Sequence, residues 1–321
     1  KIFDRTGHKL PDEIELELEK MLLDPTLIPV KTGAELGSAK RLDEVIGRYI
    51  VQAKAAFSPN YTLEGMRIVV DGANGAGYKL APTVFEELGA EVISMGNTPN
   101  GTNINAHCGA LHPELCAEAV KKYRADLGVC LDGDGDRLTI VDSNGEVIHG
   151  DKLLGICAKF LKDNGELGPT NEVVGTVMCN FGLEHYLTQN GMKFVRTQVG
   201  DRYIVEHMRK EGSLFGGEPS GHLVFKKYST TGDGTLAALK VIESIRYYGK
   251  PLSVLAAAIE LFPQVMVNVH VAKKTPFEQV PELSQAMKEA ESKLAGTGRI
   301  LLRYSGTEPL VRVMVEGKNE K

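Results

Sequence analysis

Two stretches of the chain follow one plan: MRIVVDGANGAGYKLAPTVFEELGAEVI, beginning at Met66, and NEVVGTVMCNFGLEHYLTQNGMKFVRT, beginning at Asn171. In the first, the apolar run from Ile68 to Val70 reads as a buried strand and an Asp/Asn/Gly loop follows. Periodicity then predicts a helix from Lys79 to Leu88 with Gly89 as its stop. The second repeats strand, Asn/Gly loop, helix, Asn190-Gly191 and strand. A strand that crosses over through a helix returns parallel to itself, so each stretch specifies an α/β unit. Both copies also continue alike. The first runs through a helix (HPELCAEAVKKYR), a strand (LGVCL), an aspartate-rich loop and a strand (LTIV). The second runs through a helix (DRYIVEHMRKEG), a strand (SLF), the loop GGEPSGH and a strand (LVF). The two loops are expected at equivalent sheet ends, where open α/β folds keep their ligands, facing one cleft.

Outside the repeat the texture differs. Segments 11–23 and 38–56 are predicted helical, joined by DPTLIPVKTGAELG. Beyond Pro263 come QVMVNVHV, a polar helix from Phe277 to Leu294, and GRILLRYSGTEPLVRVMVEGK, the pattern of a small α+β unit. The expected fold is α/β: repeated α/β domains with mixed, largely parallel sheets, plus a small C-terminal α+β domain, around a central cleft. Boundaries are expected at 1–57, 58–149, 150–262 and 263–321.

Composition narrows the function. With 42% hydrophobic and 25% charged residues among 321, the chain is long enough for two or three ordinary globular domains. A net charge of -5 and no basic stripe exclude nucleic acid as a partner, so any phosphate must be met locally. Five scattered cysteines without a CxxC pattern give no disulfide framework and point to a reducing cytoplasm. The longest apolar run, LSVLAAAIELF, contains Glu260 and falls short of the roughly 20 residues of a membrane span, so no membrane partner is expected. The opening KIFDRTGHKL has neither an initiator Met nor a signal-like apolar run and reads as an internal start. Nothing in the sequence sets the oligomeric state.

The densest chemistry lies in CLDGDGDRLTIVD, residues 130–142. Asp132, Asp134 and Asp136 repel one another unless a cation sits among them, and Gly133 and Gly135 let the backbone turn so that they converge. An EF-hand is excluded, because Arg137 and Ser143 stand where its Gly and Glu belong. Three carboxylates leave a Mg²⁺ shell open to a phosphate oxygen, and Arg137 adds a bidentate donor for the same group. In RYSGTEPLVRV, Arg303 and Arg312 flank a turn containing Ser305, Gly306 and Thr307, an anion cradle as readily as a hairpin with two surface arginines. Glu218, Ser220 and His222 of GGEPSGH supply the acceptors and donors that a sugar hydroxyl needs, although alone they read equally as a polar turn. Asp201 and Arg202 stand at a helix start, where Asp201 either caps the helix or, with Arg202 and Arg137, lines the cleft as a catalytic candidate. GANGAGYKL lacks the third glycine of a dinucleotide fingerprint, with Leu80 in its place. His107, Cys108, His112 and Cys116 fit no zinc spacing and read as a structural loop.

In this order, DGDGDR, GEPSGH and RYSGTEP resemble the ligand loops of the α-D-phosphohexomutase superfamily, and the likeness extends over the whole chain. GSAKRLDEVIGRYI, HGDKLLG, TQVGDRYI, TTGDG and RYSGTEPLVRV are most similar to the branch that interconverts glucosamine 6-phosphate and glucosamine 1-phosphate. The resemblance implies four domains around one cleft and an isomerase that moves a phosphoryl group from a phosphoserine. It also implies Mg²⁺ as cofactor, hexosamine 1,6-bisphosphate as intermediate and activator, and cytoplasmic supply of amino sugars for peptidoglycan precursors. By the same likeness Asp132, Asp134 and Asp136 hold the metal and Arg137 the transferring phosphoryl. Glu218 and Ser220, with His222 beside them, hold the sugar; Arg303, Ser305, Gly306, Thr307 and Arg312 hold the other phosphate. Two departures stand out. The family's serine lies in a SASHNP-type loop shortly before a segment like NGIKIF, whereas this sequence opens at KIFDRTGHKL, and VEGKNEK stops before the family's usual final helix. The expectation is a piece of a longer protein that binds sugar phosphate but is inactive by itself. Pro219 replaces the Gln or Ser of that branch, which keeps mannose and glucose phosphates as alternative substrates.

Overall fold

The computed structural model describes residues 2–294, 296–305 and 308–318. Residues 2–10 form a small hairpin bridged between Phe3 and Lys9, followed by helices α1 (Asp12–Leu23) and α2 (Val45–Ala55). The predicted helix over 38–56 is therefore shorter than expected, because nothing buries its polar start: of α2 only Ala53 is buried.

The first repeat builds β1 (Arg67–Asp71), α3 (Leu80–Glu87), β2 (Glu91–Met95), α4 (Glu114–Tyr123), β3 (Leu127–Leu131), β4 (Leu138–Asp142) and β5 (Val147–Ile148). After α5 (Gly150–Asp163) the second builds β6 (Glu172–Thr176), α6 (Phe181–Gln189), β7 (Lys193–Thr197), α7 (Asp201–Glu211), β8 (Phe215–Gly217) and β9 (Leu223–Phe225). The sheet orders are β2-β1-β3-β4-β5 and β7-β6-β8-β9. In both, the strand that comes first in the chain, β1 or β6, pairs parallel with its two neighbours, and the next pairing is antiparallel. The duplication is thus visible in topology, and the aspartate loop and the GEPSGH loop occupy equivalent hairpins. The strand predicted at SLF lies two residues later, because Phe215 and Gly216 are the residues that pair with β6.

The two sheets share a core. Helix α8 (Gly234–Tyr248) packs on β3 and β4 of one sheet, on β9 of the other and on α5. It is buried on nearly every side, and its two buried charges, Lys240 and Glu243, bond each other at 2.7 Å. After α9 (Leu252–Ala257), the C-terminal unit consists of β10 (Gln264–His270), α10 (Pro281–Leu294), β11 (Gly298–Tyr304) and β12 (Leu310–Gly317) in an antiparallel sheet of order β10-β12-β11. It meets the second repeat where Arg299 donates to the carbonyl of Cys179 at 2.8 Å and Phe181 N donates to Glu316 Oε2 at 3.2 Å. All five cysteines are free and buried. No helix among the described residues is long and apolar enough to cross a membrane.

One buried acid clamps the second repeat. Glu172, at the start of β6, accepts from Lys193 Nζ at 2.7 Å and Ser213 Oγ at 2.6 Å, and lies 2.7 Å from His207 Nε2. Burial pushes its carboxyl up, but these hydrogen bonds outweigh it and hold the group at about 2, against an ordinary 4.5. A depressed carboxylate stabilises the fold above its unfolded value, and the contribution is lost as pH falls from 4.5 towards 2. Glu172→Gln is expected to be less stable than the parent at pH 5, with a smaller gap at pH 3.5, in urea titrations. An equal gap at both values contradicts the clamp.

Candidate active site

The aspartate loop leaves β3 at Leu131 and returns into β4 at Leu138. Its turn is closed by Gly135 N donating to the carbonyl of Asp132 at 3.0 Å and by Arg137 N donating to Asp132 Oδ1 at 3.0 Å. One oxygen from each of Asp132, Asp134 and Asp136 lies within 4.8 Å of the others, the only such cluster of three or more His, Cys, Asp or Glu among the described residues. Asp132 is 8% exposed. Burial pushes its carboxyl up, the Arg137 N–H opposes this, and the charge of Asp134 adds to the rise. Packing carboxylates together in this way is unfavourable without a cation, and an all-oxygen donor set fits Mg²⁺.

The GEPSGH loop docks on this one. Leu138 N donates to the carbonyl of Gly221 at 3.1 Å, and Gly221, at φ +84°, sits so close that a Cβ would overlap the Leu138 carbonyl. His222 is 2% exposed; its Nδ1 lies 3.5 Å from Asp136 Oδ2 and its Nε2 3.5 Å from Asp201 Oδ2. Gly232 N donates to Nε2 at 3.2 Å. Glu218 Oε1 accepts from Gly200 N at 3.1 Å, so the loop also grips the start of α7. Ser220 is exposed on the same turn.

Asp201 does not cap its helix. Gly200 occupies the helix cap without a side-chain bond, and the Asp201 carboxylate instead meets Lys9 Nζ and faces His222. Burial pushes that carboxyl up, yet Lys9 and His222 outweigh it and hold it below the usual range. Arg202 donates to the carbonyl of Leu10 at 2.8 Å and pairs with Asp12 and Glu15, so its guanidinium anchors the N-terminal segment. Lys9 was missed by sequence reasoning. Its partner is 192 residues away, and a lysine in a polar turn carries no local signal. Beside the loops lies a cavity of about 330 Å³, lined by Phe3, Tyr49, Asp134, Asp136 and Asp233 among others.

The C-terminal hairpin forms a second cluster; none of its described residues lines that cavity. Arg303 and Arg312 stand directly opposite in the β11–β12 register, so both guanidinium groups share one face. Burial lowers the pKa of Arg303, and the charge of Arg312 lowers it further. Arg312 reaches Glu308 at 3.3 Å, while its buried Nε has no hydrogen-bond partner among the described residues. Ser305 is 3% exposed, its hydroxyl accepting from Glu308 N at 3.3 Å. Gly306 and Thr307 lie outside the described residues. Two facing cations of this kind suit an anion. By contrast, Cys116 is fully buried in an apolar cluster with Val69 and Cys130, while the His107 and His112 rings are 5.8 Å apart, so this stretch is structural.

Residues 48–145, 149–262 and 266–321 match, in turn, the families described as phosphoglucomutase/phosphomannomutase alpha/beta/alpha domain II, alpha/beta/alpha domain III and C-terminal domain. The chain belongs to the phosphoglucomutase/phosphomannomutase family. Among curated members it is 50% identical to the phosphoglucosamine mutase of Nitratidesulfovibrio vulgaris (strain DP4) over 320 residues, covering 99% of this chain and 71% of that protein. It is also 50% identical to the phosphoglucosamine mutase of Desulfovibrio desulfuricans, over 100% of this chain and 71% of the relative. Among solved structures, a phosphoglucomutase/phosphomannomutase family protein from Burkholderia thailandensis superposes with a TM-score of 0.75 at 22% identity, covering 97% of this chain and 67% of the other. The N-acetylphosphoglucosamine mutase of Aspergillus fumigatus, solved with GlcNAc-6P and magnesium, gives 0.68 at 21%, covering 84% and 66%. These two likenesses establish a shared fold.

Proposed function

We propose that this family member interconverts glucosamine 6-phosphate and glucosamine 1-phosphate through a bisphosphorylated sugar. The observation that carries the reading is the convergence of Asp132, Asp134 and Asp136 beside the GEPSGH loop, in a chain half identical to phosphoglucosamine mutases. Unit boundaries are placed at 1–57, 58–149, 150–262 and 263–321. The three aspartates would hold Mg²⁺, which when bound supplies charge neutralisation for a phosphoryl group. Arg137 orients the oxygens of that group. Glu218 and Ser220 bind the sugar hydroxyls, while His222, in the same loop but buried, is held between Asp136 and Asp201, the latter pinned by Lys9. Arg303, Ser305 and Arg312, together with Gly306 and Thr307, hold the phosphate that does not react. Phosphoryl transfer depends on such positioning more than on covalent chemistry. The reaction is placed in the cytoplasm, where five buried thiols stay reduced.

A coupled assay of the full-length protein on glucosamine, glucose and mannose phosphates tests the sugar. Glucosamine 1-phosphate is expected to be turned over at least about tenfold better than either competitor, since a site built around particular hydroxyl and amino groups discriminates strongly. Equal or better turnover of mannose 1-phosphate transfers the assignment to a phosphomannomutase or phosphoglucomutase.

A further inference from the structure

The metal loop's own hydrogen bonds are not all that sets its shape. Three of its carbonyls at alternate positions are each taken by a different segment: Leu131 O accepts from Ala110 N at 2.8 Å, Gly133 O from Ala76 N at 2.8 Å, and Gly135 O from Gly234 N, at the start of α8, at 2.9 Å. The alternate residues are the three aspartates. Two of the supporting segments, the turn 72–76 and the loop 105–110, are gathered by one side chain. Asp71 is fully buried at the end of β1; its Oδ1 accepts from Ala73 N at 2.9 Å and its Oδ2 from Gly109 N at 2.8 Å. The segments are also joined directly, Asn105 N donating to the carbonyl of Ala73 at 2.9 Å.

Both segments run through left-handed backbone. Ala73, Asn74, Asn105 and His107 have φ values of 54°, 50°, 57° and 55°, four of the six non-glycine residues with positive φ among the described residues. Asparagine and histidine tolerate such backbone, but Ala73 keeps it only because surrounding contacts over-determine it, and all four cluster against the aspartate loop. Gly75 is the closest approach. A Cβ there would overlap the carbonyl and Cα of Gly133, although the glycine's own backbone is not left-handed.

We propose that Asp71 and Gly75 are positioning residues that set the spacing of Asp132, Asp134 and Asp136 to the size of Mg²⁺. Asp71 holds the two left-handed segments with its two carboxylate oxygens, and Gly75 leaves room for the Ala76–Gly133 hydrogen bond. The proposal rests on the reading that the aspartates bind the metal. Mg²⁺ demands near-ideal octahedral geometry, whereas the larger Ca²⁺ accepts irregular shells, so a displaced loop changes the ratio of the two affinities. Loss of stability alone does not.

The test is calorimetric titration of the protein with MgCl₂ and with CaCl₂, comparing the parent, Gly75→Ala and Asp71→Asn well below their unfolding temperatures. Gly47→Ala, on α2 where an added Cβ meets no other group among the described residues within 4 Å, is the control. Gly75→Ala and Asp71→Asn are expected to weaken Mg²⁺ binding about 10- to 100-fold, the range seen for outer-shell changes at metal sites, with Ca²⁺ binding changed less than about threefold. The control should match the parent. If one variant does not fold, the other decides. An unchanged Mg²⁺/Ca²⁺ ratio in a folded variant overturns the positioning role and leaves the metal site standing. A parent that binds neither ion overturns the metal reading and the proposal with it.

Discussion

Replacing Asp134 by asparagine is expected to lower kcat/KM of the full-length enzyme by about a thousandfold, roughly 4 kcal/mol of transition-state stabilisation, because a carboxylate ligand is lost where phosphoryl charge must be neutralised. The same substitution should not weaken the metal-free fold. Asp132 is buried and pushed up in part by the charge of Asp134, so removing that charge relieves a repulsion. The parent should gain thermal stability on adding Mg²⁺, as ligand binding to the native state requires, and Asp134→Asn should gain much less. Melting curves with and without Mg²⁺, run beside turnover, give both halves of the result. Undiminished Mg²⁺ stabilisation in the variant would falsify the ligand role of Asp134.

Arg303→Gln should act on the other cluster, with the opposite kinetic signature. A charge-assisted bond to phosphate contributes about 2–3 kcal/mol, so KM for the sugar phosphate is expected to rise about a hundredfold. Arg303 faces Arg312 in register, and burial and that neighbour both lower its pKa. Neutralising it therefore removes a like-charge contact from the unliganded hairpin, whose stability should hold or rise. Inorganic phosphate should raise the melting temperature of the parent and leave the variant nearly unmoved. If phosphate stabilises both alike, the anion is held elsewhere.

Much of this was written locally. Short continuous apolar runs bounded by Asn and Gly located the strands of both repeats, and the aspartate loop fell between LGVCL and LTIV, as the sequence indicates. Errors arose where a contact far along the chain decided the outcome. The start of β8 depends on pairing with β6, and the late start of α2 reflects what the chain leaves uncovered. The partners of Arg202 and the pairing of Lys9 with Asp201 join the N-terminal segment to α7, a link no window of residues contains. The left-handed Ala73 likewise had no signature, since alanine is not a residue that announces such backbone.

The twin sheets have a practical corollary. Their hairpin loops, 132–137 and 218–222, spring from antiparallel stems of like pairing, one between Leu131 and Leu138, the other between Gly217 and Leu223. One kind of bend thus carries three carboxylates in one copy and, in the other, the glutamate, serine and histidine of GEPSGH. A protein engineer inherits two sockets of nearly common gauge, into which loops of other chemistry could be grafted without redrawing either framework.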